Sequence, residues 1–593
     1  MGDNEEVTLQ IEDKEFKVKK SLLCEHSDYF RAMFSGNYIE NDQNQIVIDV
    51  VDSSSMQIIV QYMEIGLIDL YDYSLTKISE IAMAANFLQI TELIKQIEYT
   101  LQLRLSRKNW LKIMSIAEAS AYTKLEQYSA AFGLLSFKEM KTDYIKSFEK
   151  LYWYLSHPFI DAWSELEVFK FGLKWVIAEE TGGDAIMLIL CCLDIRRLTT
   201  WDLVEIKRLM EPYDLSLAAK VIDCLHEVSI TNCGLSVTNI TENKEKLCEM
   251  FTDRVYTEVF NLVKESKSRN LKYAAAVSFW TKKEHKDEKK RPPLVSTSLG
   301  SYHYMYKFSE QSGFESWLQI AEKNLWGWGF TQWGPMRIIV ACGEHGRGTG
   351  LFMRDVKVYD VLKKEWISHG VQLPSGRHAG LTVLGDSLFI VGGVGAFRVV
   401  LDKVIIYDLK ARTFREVAKF HDAIQNPGLC THEGKVYASG IEAIYRYDET
   451  EEQNRWLAIV RTNIRMSCMT SFKGFIYCTQ SYFSNLYRFR PNVDRELEIV
   501  ANFTHPPAAI CNLGDRLLFF TRTVCGQIDA LAVEEYKGIS DGEKPKLIWS
   551  NDDTDLLIND VAGCCGLVMD TPPLCHDVPP SHGRYLKLCA NMR

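Results

Sequence analysis

Leu388-Phe389-Ile390-Val391-Gly392-Gly393, followed by Tyr407 and Phe414, is one copy of a pattern that recurs between residues 336 and 549. Each copy is an apolar run closed by Gly or a small residue, then a strand carrying Tyr, then an aromatic. The preceding copy is Ile338-Ile339-Val340-Ala341-Cys342-Gly343, leading to Tyr359 and Trp366. The following one is Val436-Tyr437-Ala438-Ser439-Gly440, leading to Tyr445 and Trp456. The glycines at 343, 393 and 440 lie 50 and 47 residues apart. A strand-rich repeat of about 50 residues predicts the blades of a β-propeller.

Two weaker copies lack the paired glycines: Ile476-Tyr477-Cys478-Thr479 before Tyr487, and Leu517-Leu518-Phe519-Phe520-Thr521 before Trp549. Tyr306 to Trp317 reads as the closing half of a further unit whose first half, around Leu294 to Gly300, is degenerate. The count is then six blades. A single blade cannot bury both faces, so the blades need one another in a closed ring. Cys564-Cys565-Gly566-Leu567-Val568-Met569 is a candidate strand returning to complete the first blade.

Upstream the pattern changes. Val7, Leu9 and Ile11 alternate with polar residues as in a half-buried strand, and Asp13-Lys14 turns into Phe16-Lys17-Val18. Asp52-Ser53-Ser54-Ser55 caps a helix whose face is Met56, Ile58, Ile59, Tyr62 and Met63, and Gly66 stops it. Phe87 and Leu88 read as the start of a stripe continued by Leu93, Ile94, Ile97 and Leu101. Residues 105–280 are helical in pattern almost throughout. The charged run Lys282 to Arg291, closed by Pro292-Pro293, reads as a solvated linker. The boundaries predicted are 5–104, 105–280, a linker at 281–293, and a propeller at 294–593.

The totals bound the function. A chain of 593 residues, 47% hydrophobic and 25% charged, is a multidomain globular protein. Its net charge of −10 opposes a nucleic-acid-binding surface. No run of about 18 apolar residues suggests a membrane span, and the N-terminal residues do not read as a signal peptide. Sixteen scattered cysteines read as reduced thiols of a cytoplasmic protein, with nuclear residence a further expectation.

The first hundred residues carry a resemblance. Phe16-Lys17-Val18-Lys19-Lys20-Ser21-Leu22-Leu23, Ser27-Asp28-Tyr29-Phe30-Arg31-Ala32-Met33-Phe34 and Ala84-Ala85-Asn86-Phe87-Leu88-Gln89-Ile90 resemble the α+β BTB (POZ) domain. The middle region, with Glu165-Leu166-Glu167-Val168-Phe169, Trp175 and Leu193-Asp194-Ile195-Arg196, is similar to the all-α BACK domain. BTB, BACK and an all-β kelch propeller in that order resemble the kelch-like proteins. Lys19 and Glu64-Ile65 depart from the residues usual in that family, and fewer residues than usual precede Val7, which implies a reduced or differently built dimer interface.

The resemblance implies a substrate adaptor of a cullin-3 ubiquitin ligase, with a homodimer through the BTB domain and a protein substrate on the propeller. The cullin-binding residues it implies are Phe34, Tyr38, Ile39 and Glu40, with Tyr38 filling an apolar groove and Glu40 fixing register. The alternative is a scaffold binding actin or another cytoskeletal partner.

Catalytic constellations are missing. The sequence holds no Cys-x-x-Cys metal pair, no Gly-x4-Gly-Lys-Ser/Thr phosphate loop and no Gly-x-Ser-x-Gly elbow. Gly343 to Gly350 is glycine-rich but follows a strand with no helix after it, so a hairpin loop is expected. The reading is a non-catalytic protein with no cofactor and no metal. The substrate-binding candidates are Arg377, His378 and Arg465, which occupy matching places before a strand and suit carboxylates. Trp326, Trp328 and Trp333 line a recognition surface or pack between blades.

Overall fold

The computed structural model describes residues 5–35, 43–179, 183–213, 216–232, 234–278, 280–281, 302–450, 453–525, 528–538, 542–551, 556–557, 561–569 and 571–574. Two compact units divide it. One runs from Met1 to Leu271 and takes in the described residues from Pro572. The other is Lys272–Thr571.

The first unit begins with strands Glu6–Ile11 and Lys14–Lys19, paired antiparallel around a turn at Glu12-Asp13 in which Glu12 has φ 53°. Gln45–Val47 joins the other edge of the first strand in parallel. Val7, Leu9 and Ile11 are buried, as their alternation requires. Helix Ser53–Ile65 starts where Asp52 accepts from the Ser55 amide at 2.8 Å, and it ends at Gly66 in the left-handed conformation. Its buried face is Met56, Ile58, Ile59, Tyr62 and Met63, as the spacing predicts. The stripe from Phe87 to Leu101 is not one helix. Gln89, at φ 52°, separates Leu75–Phe87 from Thr91–Arg104. Ser27 closes that corner by donating to the Leu88 carbonyl at 2.5 Å.

Helices from Trp110–Ala119 to Asp253–Glu265 form the rest of the unit around one apolar core. Arg269 closes it. Its guanidinium grips Glu165 at 2.8 and 2.9 Å and donates to the Leu155, His157 and Cys192 carbonyls at 2.9–3.1 Å.

The second unit is six four-stranded antiparallel sheets. Five are consecutive in sequence, spanning 329–369, 380–416, 429–461, 468–502 and 507–551. The sixth, which is the first blade, combines Tyr273–Ser278, Tyr302–Ser309 and Gly313–Lys323 with the returning strand Cys564–Val568 as its innermost member. Each innermost strand lies beside that of the next blade, and Cys564–Val568 lies between Gly329–Gln332 and Pro507–Asn512, so the ring closes. The returning strand was legible in the sequence.

The domain boundary was not. The first blade starts at Tyr273, inside the stretch expected to be helical, and the unit boundary falls at Leu271. The run at 282–301 lies outside the described residues. It connects two strands of one blade, and therefore does not link two domains.

The recurrent aromatics have a defined place. Tyr359 pairs across strands with Trp366, and Tyr407 with Phe414. In the next blade Tyr447, rather than Tyr445, is the partner of Trp456, and a register shift follows between Ile444 and Tyr445. Trp366 and Trp456 donate their indole N–H to the preceding blade, at the Gln319 and Ala418 carbonyls (3.1 and 3.2 Å). The paired glycines serve the same joints. At Gly393, with φ 98°, a Cβ would stand 2.8 Å from the Arg377 carbonyl.

Candidate functional site

In a four-stranded meander, the loops joining the second and third strands and the loops joining one blade to the next emerge at the same edge. Hydrogen bonds tie these loops together here. Gly343 donates to the Gly376 carbonyl (2.9 Å), Gly393 to the Ile424 carbonyl (2.7 Å), and Met466 to Ser439 Oγ (2.9 Å). This edge is the face on which the substrate candidates stand.

It is also where large apolar side chains meet solvent. Leu351, Phe397, Ile441, Tyr482 and Phe483 lie in the second-to-third-strand loops of four successive blades. Phe397 is 99% exposed and Tyr482 86%. Isolated exposed apolar residues are ordinary, but these five recur in equivalent loops on one face.

The three candidates differ in standing. Arg377 does not project freely to read an acid. Its side chain is 7% exposed and pairs with Glu344 at 3.1 Å. The Glu344 carboxylate is itself held by the amides of Gly350 (2.7 Å) and Gly348 (3.1 Å). The glycine-rich loop is therefore a hairpin loop, as expected, and it places the carboxylate that neutralises Arg377. His378, at φ 54°, stands edge-on to Trp326 at 4.8 Å between ring centres. Arg465 is exposed and makes a long contact (3.5 Å) to the Asn426 carbonyl. The Asn426 amide in turn donates to the His378 carbonyl at 2.7 Å. The structure thus joins His378 and Arg465 through one backbone residue.

The tryptophans divide in the same way. Trp328 is buried, and Trp333 donates to Asp386 of the next blade at 3.2 Å, so both pack between blades. Trp326 lies at the loop face, under the guanidinium carbons of Arg377 (4.8 Å) and Arg347 (5.1 Å) from its ring centre. The sequence reading missed Arg347, whose only signal was its place in the glycine-rich loop.

The opposite edge offers a hollow of about 430 Å³ lined by Lys435, Tyr437, Arg446, Asp448 and Arg455, among others. Within it Asp448 is paired with Arg446 (2.7 Å) and Lys435 (3.3 Å).

In the first unit, Tyr38, Ile39 and Glu40 lie outside the described residues. Phe34 is described, and it corrects the expectation. It is 1% exposed, at the end of helix Asp28–Ser35, with its ring stacked on Phe30 in the core. Phe34 is a packing residue and presents no surface to a partner. Among the described residues, no group of three or more His, Cys, Asp or Glu is placed to hold a metal ion.

Comparison with known proteins supplies the context. Residues 2–105 match the BTB/POZ domain model, and residues 375–421 match the Kelch motif model. Kelch-like protein 15 of Mus musculus is 30% identical over 177 residues, 29% of each chain. Kelch-like protein 26 of Danio rerio is 24% identical over 224 residues, 37% of this chain and 36% of that one. Kelch-like protein 23 of Homo sapiens is 21% identical over 535 residues, 82% of this chain and 89% of that one. Alignment with the first of these spans under a third of its length, whereas the last runs nearly end to end.

Proposed function

Because the chain belongs to the kelch-like, BTB–kelch family, we propose that it is a substrate adaptor of a cullin-3 ubiquitin ligase. The BTB unit engages the cullin through Tyr38, Ile39 and Glu40, and the loop face of the propeller holds the client protein. The observation that carries this reading is the pairing of a BTB unit with a six-bladed ring whose one face exposes apolar side chains from four blades. The adaptor makes no bond itself. It holds a client near the charged conjugating enzyme and so raises the effective concentration of the reacting groups.

Capture of purified cullin-3 by the full chain tests the assignment. Capture is expected with wild type, and a loss of at least about tenfold, or 1.4 kcal/mol, is expected for Tyr38→Ala combined with Glu40→Ala. Absence of capture by wild type, where a known adaptor succeeds, ends the ligase reading. Co-sedimentation of the same protein with actin filaments would then favour a scaffold.

A further inference from the structure

The loop joining the second and third strands of the third blade, residues 392–403, has a strained backbone. Phe397 (φ 56°) and Arg398 (φ 61°) are successive non-glycine residues in the left-handed region, which residues other than glycine rarely adopt. Strain of this kind persists where the surroundings impose it, and it concentrates at binding sites. Here the base of the loop imposes it. Val394 and Arg377 exchange both backbone hydrogen bonds (2.7 and 3.0 Å), Gly395 donates to the Val399 carbonyl (2.8 Å), and Leu401 donates to the Gly393 carbonyl (2.9 Å). The outcome is an aromatic ring wholly in solvent, next in sequence to a guanidinium and fastened to the inter-blade loop that carries Arg377.

The electrostatics at this point are unbalanced. Arg377 is buried, and its charge is felt by Arg398 and Arg347. Burial pulls its pKa down, Glu344 opposes that, and Arg398 and Arg347 add to it. Of these three guanidiniums, Arg377 is the one that pairs with the Glu344 carboxylate. Neither Arg347 nor Arg398 has an ion-pair partner among the described residues, and Arg377 Nε is buried without a hydrogen-bond partner. Trp326, with Arg347 and Arg377 over its ring, supplies a flat wall for an incoming group. On a chain of net charge −10, this is a local excess of positive charge.

We propose that this cluster recognises a client segment in which an anionic side chain, carboxylate or phosphate, adjoins an aliphatic or aromatic one. Arg347 and Arg398 receive the anion beside Trp326, and Phe397 covers the apolar neighbour. Arg377 positions the site from below, with Glu344 holding it. Three guanidiniums suit one or two anionic groups. A nucleic-acid strand would need a basic track along its backbone, and the same face carries Asp402, Asp422 and Glu442.

The inference rests on the reading of the loop face as the client face, and its test contains no cullin, so either can fail while the other stands. The probe is a set of degenerate synthetic peptides with a central Glu, phosphoserine, Gln or Lys, each flanked by Leu/Phe or by Ala, presented to the purified full chain. Retention of Glu or phosphoserine peptides with Leu/Phe flanks should exceed the Gln set by about tenfold, the scale of one charge-assisted hydrogen bond. Preference for Glu identifies a carboxylate client, and preference for phosphoserine alone a phosphorylated one. Arg347→Glu with Arg398→Glu, both exposed and outside the buried core, should abolish the preference or turn it towards Lys. Phe397→Ala should abolish the flank dependence and leave the charge dependence. Equal retention of Gln and Glu peptides, a profile unchanged by charge reversal, or displacement by a single-stranded oligonucleotide at lower concentration than by acidic peptide would overturn the proposal.

Discussion

Removing Arg269 should cost the first unit more than any single contact on its surface could. The guanidinium is 5% exposed and the Glu165 carboxylate 1%, and the two are joined by parallel bonds of 2.9 and 2.8 Å. Three further carbonyls depend on the same side chain. Arg269→Met keeps most of the volume but leaves a buried carboxylate facing only the Asp194 amide (3.1 Å) and the half-exposed Arg197 at 3.7 Å. Breaking a buried pair from one side costs about 3–5 kcal/mol. For a cooperative unit of this size, about 2–4 °C are lost per kcal/mol, so the first-unit transition should fall by roughly 6–20 °C. Calorimetry of the full chain reads the shift, and hydrogen exchange along 151–178 assigns it to the first unit. The pH dependence provides a second, independent sign. In wild type, burial raises the pKa of Glu165, but the hydrogen bonds and charge of Arg269 more than offset it and hold the group below the ordinary carboxylate range. Its contribution is therefore present above the unfolded pKa of 4.5 and is lost as pH falls through the lower folded value. In Arg269→Met the shift reverses, so the deficit should shrink between pH 7 and pH 5. Glu165→Gln in the same chain, which keeps an acceptor for Asp194, should recover part of the loss. A deficit under about 1 kcal/mol, or one independent of pH, would refute the assignment of Arg269 as the clamp.

Two more outcomes are expected. Leu567, 0% exposed on the returning strand, should cost about 2–5 kcal/mol as Leu567→Ala, and Gly566→Val should fail more severely because its Cβ meets the Asn512 carbonyl; increased hydrogen exchange across Tyr273–Ser278 checks both. Glu534, 3% exposed, has its pKa raised by burial from 4.5 to about 7, with a backbone hydrogen bond from Thr504 in partial opposition, so its contribution is full below pH 4.5 and lost as pH rises through 7. Glu534→Gln should therefore stabilise the propeller by up to about 3 kcal/mol at pH 8 and by little at pH 5, measured as urea midpoints at both.

Legibility followed how locally each feature is encoded. Asp52 and Gly66 bound their helix through contacts within one turn, so they could be read directly. The repeat could be read because glycines and aromatics at blade joints recur with the blade. Tyr273–Ser278 could not. Its sequence is Tyr-Ala-Ala-Ala-Val-Ser, and Ala is the strongest helix former, yet Ala275 and Ala276 are buried between strands from residues 302–309 and 564–568. Small side chains let those strands approach, and tertiary pairing overrode local preference. Tyr447 was missed for a similar reason. Two tyrosines two residues apart on one strand could each be the partner of Trp456, and the register that runs from the hairpin through Glu449 and Asn454 selects Tyr447.

The site was less legible because its parts come from four loops, and charge sign does not reveal whether a charge is already satisfied. Arg377 and Arg465 both suited an acid on sequence grounds. The structure gives Arg377 a carboxylate of its own, Glu344, held by the amides of Gly348 and Gly350. That pair changes what Arg377 can do. Its charge is committed, and it holds Trp326 on one side and Val394 on the other. The uncommitted charges are Arg347 and Arg398, which a search for residues shortly before a strand would pass over. Their value depends on two facts that no spacing encodes: a left-handed turn that lifts Arg398 and Phe397 into solvent, and a glycine-rich loop that spends its amides on Glu344 and leaves Arg347 free. Arg377 thus stands at the loop edge with its charge already paired, and the anion contacts proposed above fall to Arg347 and Arg398.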